Sequence, residues 1–165
     1  MTFAMRLGLL GALIVAAVGL ADHLLAWPFL TAAIGPTAYA FIAHPGSRSS
    51  RMRTAAFGHC TGITAGLAAL AAFGLWSAPS ITQTGRATVA QALATATASA
   101  VTLVILHLFD AHHSPAAASA ILVATGLARP VRPVEGLAIG LAAVILAASL
   151  LVAILPPGGP EHEQP

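Results

Sequence analysis

Residues 136–155 read GLAIGLAAVILAASLLVAIL, a run without a single charged side chain. An α-helix rises about 1.5 Å per residue, so roughly 20 apolar residues cross the ~30 Å hydrocarbon core of a bilayer. The runs Ala55–Trp76 and Ala87–His107 are equally free of charge, and Leu7–Ala21 reaches full length if its helix continues to Trp27. These four runs predict four transmembrane helices, the first of them retained rather than removed as a signal peptide.

The composition excludes a soluble globular domain and a nucleic-acid-binding protein. Hydrophobic residues make up 58% of the 165 residues and charged residues only 7%, whereas a soluble domain carries about 25% charged residues. The basic residues are all arginines scattered between apolar runs, which is unlike a nucleic-acid-binding surface. We therefore expect one all-α integral membrane domain at residues 1–155, in contact with the lipid bilayer and with no nucleic-acid partner. The polar tail, residues 156–165, should be disordered.

Two further apolar runs contain helix-breaking residues. Pro28–Ala43 includes the pair Gly35-Pro36, and Ser114–Ala128 opens at Pro115. Proline lacks a backbone donor and clashes with the preceding turn, so both runs should form short or broken helices. Irregular backbone inside a membrane persists only against protein or a water-filled cavity. We predict two buried or re-entrant helical segments, and the sequence leaves open whether either one crosses the membrane fully.

The two halves of the chain present similar features in the same order. Each has a long apolar helix, a proline-broken segment, an arginine-bearing loop and a glycine-bearing helix. The landmarks are Pro36, Arg51, Arg53, Gly58 and Gly62 in the first half and Pro115, Arg129, Arg132, Gly136 and Gly140 in the second. Chance similarity between Ala/Gly-rich stretches is the alternative. Repeated halves with discontinuous helices are typical of transporters, whose site lies near mid-membrane where the repeats meet.

The path of the broken segments decides how the halves are related. If both segments turn back, the halves are parallel and the two arginine loops lie on the same side of the membrane. If both segments cross, the halves are inverted and the loops lie on opposite sides. Cytoplasmic loops are enriched in arginine, so the positive-inside rule favours four crossings with both loops in the cytoplasm.

Six of the seven histidines lie in or beside the apolar runs, where ionisable side chains are costly and often functional. Three interpretations stay open. His107, His112 and His113 could converge with His59 on a metal ion, although no His-x-x-x-His pair and no second cysteine supports such a site. Some histidines could be interfacial residues without a specific role. Finally, His59 and His113 could donate hydrogen bonds to a permeating anion or relay a proton.

The sequence His113-Ser114-Pro115 is typical of a helix start, because serine is a common N-cap and proline fits the first turn. A helix N-terminus that faces a cavity offers free N–H groups and a partial positive charge, which suit an anion. Thr37 could occupy the same place in the first half. Arg51 and Arg53 could form an anion vestibule or anchor the helix at lipid headgroups. A purely structural helix break is the alternative for both segments.

Several of these residues resemble the signature of one family. The run from His113 to Ala120, HSPAAASA, is similar to the His-Pro-Pro-Ala-Gly-Ala-Thr-Ala signature of the HPP family of integral membrane proteins. Gly35–Phe41 resembles that family's first broken segment. Pro45 and Ser47 resemble its proline-serine loop, and Arg53 with Gly58-His59 resembles its Pro-Arg-Asn…Gly-Gly-His stretch. The resemblance covers about Trp27–Leu155. The departures are Ser114, Ala117, Met52, Thr54 and Phe57, and they bear on substrate identity more than on fold.

The resemblance implies a transporter or channel for a small inorganic anion, because plastid and cyanobacterial members of that family are associated with nitrite. The candidate substrate-binding residues are Thr37, Arg53, His59, His113 and Ser114. A histidine-lined metal-ion or proton pathway and a non-transporting membrane scaffold are the alternatives. We expect a multi-pass protein of the cell membrane (inner or plasma membrane), possible homo-oligomers, and no cofactor or resident metal. Catalytic signatures are missing from the sequence, so an enzyme is not expected.

Overall fold

The computed structural model describes residues 2–129 and 131–155, and the predicted tail, 156–165, lies outside them. The described chain contains no strand, and it forms seven α-helices with one 3-10 turn at Arg48–Ser50. The α-helices are Phe3–Leu25 (α1), Ile34–Ala43 (α2), Met52–Ala72 (α3), Ile81–Thr84 (α4), Val89–Leu108 (α5), Pro115–Ala124 (α6) and Arg132–Ile154 (α7). Helices α1, α3, α5 and α7 are long and apolar enough to cross a membrane. The prediction of an all-α integral membrane protein is therefore confirmed.

Local signals explain where the helices begin and end. The Thr88 hydroxyl caps α5 by accepting a hydrogen bond from the backbone N–H of Gln91 at 3.2 Å. In return, the side-chain oxygen of Gln91 accepts a hydrogen bond from the backbone N–H of Thr88 at 2.9 Å. Helix α1 ends at Ala26, whose φ of 50° lies in the left-handed region. The proline at position 28 disfavours helical backbone at the residue before it, so the helix cannot continue through this segment.

Large apolar side chains cover the outside of the bundle. On α1, Leu9, Leu13, Leu20 and Leu24 are each more than half exposed, and the outer faces of α5 and α7 carry exposed leucines in the same way, together with valines on α5 and isoleucines on α7. Such a surface is unfavourable in water, whereas lipid tails solvate it without cost. The outer faces of these helices therefore contact the bilayer.

Helices α3 and α6 lie side by side and run in the same direction. A Cβ atom at Gly58, near the start of α3, would touch His113, which precedes α6. A Cβ atom at Gly66, two turns further along, would touch Val123 near the end of α6. Helix α6 therefore runs parallel to α3, from the level of its first turns toward its last.

The two ends of the bundle can be named by their arginines. The Arg53 end is where α3 begins. The Arg129 end lies beyond the last turn of α3, because Arg129 donates a hydrogen bond to the carbonyl of Ala78. Asp110, after α5, pairs with Arg48, before α3. Helix α5 therefore finishes at the Arg53 end, and α6 leads from there back toward the Arg129 end.

Helices α1 and α7 are antiparallel. Arg132, the first residue of α7, donates to the carbonyl of Ala26 at 2.9 Å, and Arg6 on α1 donates to the carbonyl of Leu155 after α7. Because α7 follows the Arg129 loop, α1 runs toward the Arg129 end and α7 runs away from it.

The segment between α1 and α2 runs along α7. A Cβ atom at Gly136 would meet the carbonyl oxygen of Pro28 at 2.6 Å, and one at Gly140 would meet that of Phe29 at 2.5 Å. Only a glycine allows the backbone of another segment to approach this closely. The segment is thereby carried from the Arg129 end into the bundle, and α2 continues to the Arg53 end, where α3 begins.

The two arginine loops consequently lie at opposite ends of the bundle. The positive-inside rule led us to expect Arg51 and Arg53 on the same side of the membrane as Arg129 and Arg132, an arrangement that the positions of the two loops in the bundle do not favour. The rule weighs loop charges and takes no account of the distance that an irregular segment, here residues 26–33, adds to a short helix.

Candidate functional site

Four polar side chains are buried together where α2, α3 and α6 meet. Thr37 lies in the first turn of α2, His59 on α3, His113 just before α6 and Ser119 on α6, and none of them is more than 3% exposed. We call these four residues the buried polar cluster. Glycines along α3 permit it, because Gly58 and Gly62 let α6 and His113, which precedes it, lie directly against α3. Two histidines 54 positions apart thereby become neighbours.

His59 is the centre of the cluster. Its Nε2 lies 3.1 Å from Nε2 of His113 and 2.9 Å from the hydroxyl of Thr37. Its Nδ1 lies 2.8 Å from the hydroxyl of Ser119. The outer nitrogen of His113, Nδ1, lies 2.8 Å from the backbone carbonyl of Ser49, in the 3-10 turn before α3. A continuous chain of hydrogen bonds therefore runs from the Ser49 carbonyl to Ser119.

The partners of this chain determine where its protons are. A carbonyl only accepts, so the Ser49 carbonyl requires a proton on Nδ1 of His113, which leaves Nε2 of a neutral His113 as an acceptor. Nε2 of His59 must then carry the proton between the two rings, and Nδ1 of His59 must accept from Ser119. The Thr37 hydroxyl donates to the carbonyl of Ala33 at 2.7 Å, so it is free to accept from His59. Two neutral imidazoles satisfy every contact.

The cluster lies inside the bundle rather than at its surface. His59 is seven residues into α3, so it lies about 10 Å along a helix of about 30 Å. The short helices α2 and α6 both begin near it, one at Ile34 and the other at Pro115. Two helix N-termini, each with a partial positive charge, therefore converge on the histidine pair.

The whole arrangement can be compared with known proteins. Residues 1–156 match the family described as HPP, transmembrane region. The chain belongs to this family. No curated protein and no solved structure matches it. The match covers all four long helices and the buried polar cluster, so the resemblance seen in the signature run from His113 to Ala120 is confirmed at the level of the family.

In this HPP-family chain the predicted site residues divide into two groups. Thr37, His59 and His113 are brought together in the buried polar cluster. Arg53 and Ser114 are exposed and make no hydrogen bond to it. Ser114 occupies the N-cap position of α6, but its side chain makes no capping bond, contrary to our expectation. The first amides of α6 are not free either, because Ala116 bonds the His113 carbonyl at 3.0 Å.

Two residues of the site were missed in the sequence. Ser119 is the one polar residue in the run Pro115–Ala124 of α6, and that isolation was the signal that could have identified it. Ser49 contributes chiefly through its backbone carbonyl, 2.8 Å from Nδ1 of His113, and its hydroxyl lies 3.4 Å from the same atom; the carbonyl contact is one that no pattern of side chains reveals.

The other histidines in the described part of the HPP-family chain do not join the cluster. His107 and His112 are exposed, with their ring centres 6.4 Å apart. His112 lies 3.0 Å from Asp110, which also pairs with Arg48. Within residues 2–129 and 131–155, no group of three or more His, Cys, Asp or Glu side chains is placed to hold a metal ion. The convergence of four histidines that a metal site would need is not found.

Proposed function

We propose that this HPP-family membrane protein is a transporter or channel for a small inorganic anion. The observation that carries the proposal is the buried polar cluster, which sets two imidazoles inside a membrane bundle with no carboxylate of the described residues in contact with them. Burying ionisable groups in a membrane is costly and usually marks a pathway for a polar solute. Nitrite is the substrate suggested by the family resemblance. We propose neither a catalytic reaction nor a cofactor.

The ligand chemistry of the cluster favours an anion over a cation. Imidazole N–H and hydroxyl groups can donate hydrogen bonds, and the converging N-termini of α2 and α6 add partial positive charge. A metal cation would instead require several acceptor ligands, and the cluster offers only two imidazoles. Arg53, exposed at the start of α3, would attract the anion from the solvent at that end, with Ser114 beside the path to His113.

The architecture supports a site between two repeated halves. Helix α3 of the first half packs against α5 and α6 of the second, and α7 of the second half packs against α1 and α2 of the first. Corresponding helices run in opposite directions, which is the relation expected of inverted repeats. We propose that each short helix, together with the segment before it, completes a crossing of the membrane rather than returning to its side of origin.

Accessibility of single cysteines tests this topology. In a Cys60→Ala background, Gly46→Cys would lie at the Arg53 end and Val131→Cys at the Arg129 end, both at exposed positions. We expect a membrane-impermeant thiol reagent, applied to oriented vesicles from one side only, to label one variant and spare the other. Labelling of both variants from the same side would contradict the crossings and support re-entrant segments.

Anion uptake by reconstituted protein tests the function. Purified protein in liposomes should take up nitrite faster than empty vesicles do, and nitrate, chloride and formate would define its selectivity. His113→Ala should abolish uptake, whereas His107→Ala, at an exposed position on α5, should retain it. Folding of both variants would be checked by gel filtration in detergent. Unchanged uptake by folded His113→Ala, or no uptake by the folded parent, would refute the proposal.

A proton pathway is the second candidate, because the direct contact between the two Nε2 atoms could pass a proton from ring to ring. It differs in one measurable respect. A proton pathway acidifies vesicles under an imposed pH gradient without any added anion, whereas the anion transporter requires one. The proposed setting is the cell membrane, where a chain of this size could work as a homo-oligomer.

A further inference from the structure

We infer that the histidine pair of His59 and His113 takes up one proton with each anion, so that transport is electroneutral proton–anion symport. This inference rests on the proposed function and adds that anion transport is coupled to proton transport. It follows from the hydrogen bonds of the buried polar cluster, in which every donor already has an acceptor and a single proton lies between the two Nε2 atoms of the histidines.

In the neutral state the cluster has no donor left for an anion. The proton on Nδ1 of His113 is used by the Ser49 carbonyl, and the one on Nε2 of His59 is shared between His113 and Thr37. Ser119 donates to Nδ1 of His59. An anion that approached would find the donors of these four residues occupied and would bring an uncompensated charge into a medium of low dielectric constant. Binding therefore needs a change in the cluster itself.

Adding one proton supplies that change. The acceptor available for it is Nε2 of His113, which loses its hydrogen bond to His59 when it binds the proton, because two N–H groups cannot bond to each other. The rings are driven apart and both Nε2–H groups become donors. An anion accepting from both would separate the nitrogens to roughly 5 Å, compared with 3.1 Å in this structure. Imidazolium and monovalent anion together carry no net charge.

The proton balance is closed at both ends of the cycle. One proton from the aqueous phase adds to Nε2 of His113, and the anion binds with it. When the anion leaves at the opposite end, the proton leaves His113 for the water, and the hydrogen bond from His59 forms again. No bond other than hydrogen bonds and the N–H bond changes, and one proton and one anion cross together.

No other ionisable side chain in the described residues is placed to supply the compensating charge. Those on α3 and on the elements packed against it or leading into the cluster are exposed: Arg53 and Cys60 on α3, Tyr39 on α2, His107 on α5, Arg132 and Glu135 on α7, and His44, Arg48, Arg51, Asp110 and His112 in the adjoining loops. Helix α6 carries none. The only ionisable partner that each histidine of the pair meets inside the bundle is the other histidine.

Simultaneous measurement of anion and proton uptake tests the coupling. Liposomes would hold the full chain and an internal pH-sensitive dye, with valinomycin and potassium setting the membrane potential. We expect about one proton per nitrite after subtraction of the flux in empty vesicles, which corrects for diffusion of nitrous acid. The rate should be unaffected by the potential and should rise about tenfold per unit of decreasing pH while the pair is neutral. Nitrite uptake that follows the potential and carries no proton would overturn the inference and leave the anion transporter standing.

His113→Gln separates coupling from folding. The glutamine amide can donate and accept but cannot be protonated in this pH range, so residual nitrite uptake should lose its pH dependence and its proton. His107→Gln, at an exposed position outside the cluster, should keep the ratio of about one. A folded His113→Gln variant that still carries one proton per anion would overturn the inference.

Nitrogen NMR provides a readout that does not depend on transport activity. In ¹⁵N-histidine-labelled protein, His59 should carry its proton on Nε2 and His113 on Nδ1 near neutral pH. Saturating sodium nitrite at constant pH should convert one of these rings to the doubly protonated form. Both rings remaining neutral with nitrite bound would refute the mechanism, whereas absence of nitrite binding and uptake alike would refute the proposed function itself.

Discussion

The substitution Gly66→Ala should both destabilise the protein and disrupt its histidine site. A Cβ atom at this position would lie 2.6 Å from the Cβ of Val123 and 3.0 Å from the backbone oxygen of Ala120. Neither atom can be moved by rotating a side chain, because a Cβ atom is fixed to its backbone. Carbon atoms pack at about 3.5–4.0 Å, so α6 must retreat from α3 by about 1 Å.

The magnitude follows from that displacement. Overpacking a tight interface typically costs about 1–3 kcal/mol. The hydrogen bond between His59 and Ser119, 2.8 Å long, crosses the same interface about two turns away along α3 and one turn away along α6, and an increase of about 1 Å would take it beyond hydrogen-bonding range. Loss of that bond from a buried donor and acceptor adds about 1–3 kcal/mol. We therefore expect a total loss of roughly 2–6 kcal/mol.

Thermal unfolding in detergent, followed by gel filtration after heating, measures the stability, and nitrite uptake in liposomes measures the site. Gly11→Ala is the matched control, because it also replaces a helical glycine but nothing lies within 4 Å of the new Cβ. It should be neutral or stabilise α1 by up to about 1 kcal/mol. If Gly66→Ala unfolds at the same temperature as the parent and transports normally, the close packing of α3 on α6 does not hold the cluster together.

Three further predictions test other parts of the structure. Ser119→Ala should cost about 1–2 kcal/mol by leaving Nδ1 of His59 without a donor, and it should move the ¹⁵N resonance of that Nδ1 while the proton stays on Nε2, where His113 accepts it; an unchanged Nδ1 resonance would contradict the hydrogen bond assigned to Ser119. Asp110→Asn should change the melting temperature little, because its ion pair with Arg48 is exposed and such pairs are worth less than about 1 kcal/mol; a loss of several kcal/mol would indicate a buried role for the pair. Cys60, on the outer face of α3, should resist a charged thiol reagent in intact vesicles and react after denaturation, and labelling from either side would contradict lipid contact at this position.

The long helices could be predicted because length and hydropathy are local properties of a sequence. The run from Ala87 to His107 became α5, and the one from Gly136 to Leu155 became most of α7. The short helices were located, but their course could not be derived, since it depends on contacts with α7 and α3 that lie far away in sequence. The arginine loops were placed on one side for the same reason.

The site was predicted in part, and helix geometry explains the division. Thr37, His59 and His113 met because each lies where a short helix begins or where α3 faces it. Arg53 is six residues before His59, and at about 100° per residue the two side chains point about 120° apart around α3. The spacing of the family motif correctly placed Arg53 on the same helix as His59. Its position around that helix, however, directs the Arg53 side chain to the exposed surface.

The features that break local rules are the ones that build the site. Proline and glycine interrupt two segments that would otherwise be simple spanning helices, and the interruptions place helix starts inside the bundle beside His59. The glycines of α3 weaken it as a helix, yet they admit the backbone of α6 closely enough for His113 to reach His59. Conflicts between local preference and global structure usually coincide with function. Here the broken segments and the glycines of α3 meet at a single point, the buried polar cluster. Its two imidazoles are the only groups of the cluster that can change charge by binding a proton.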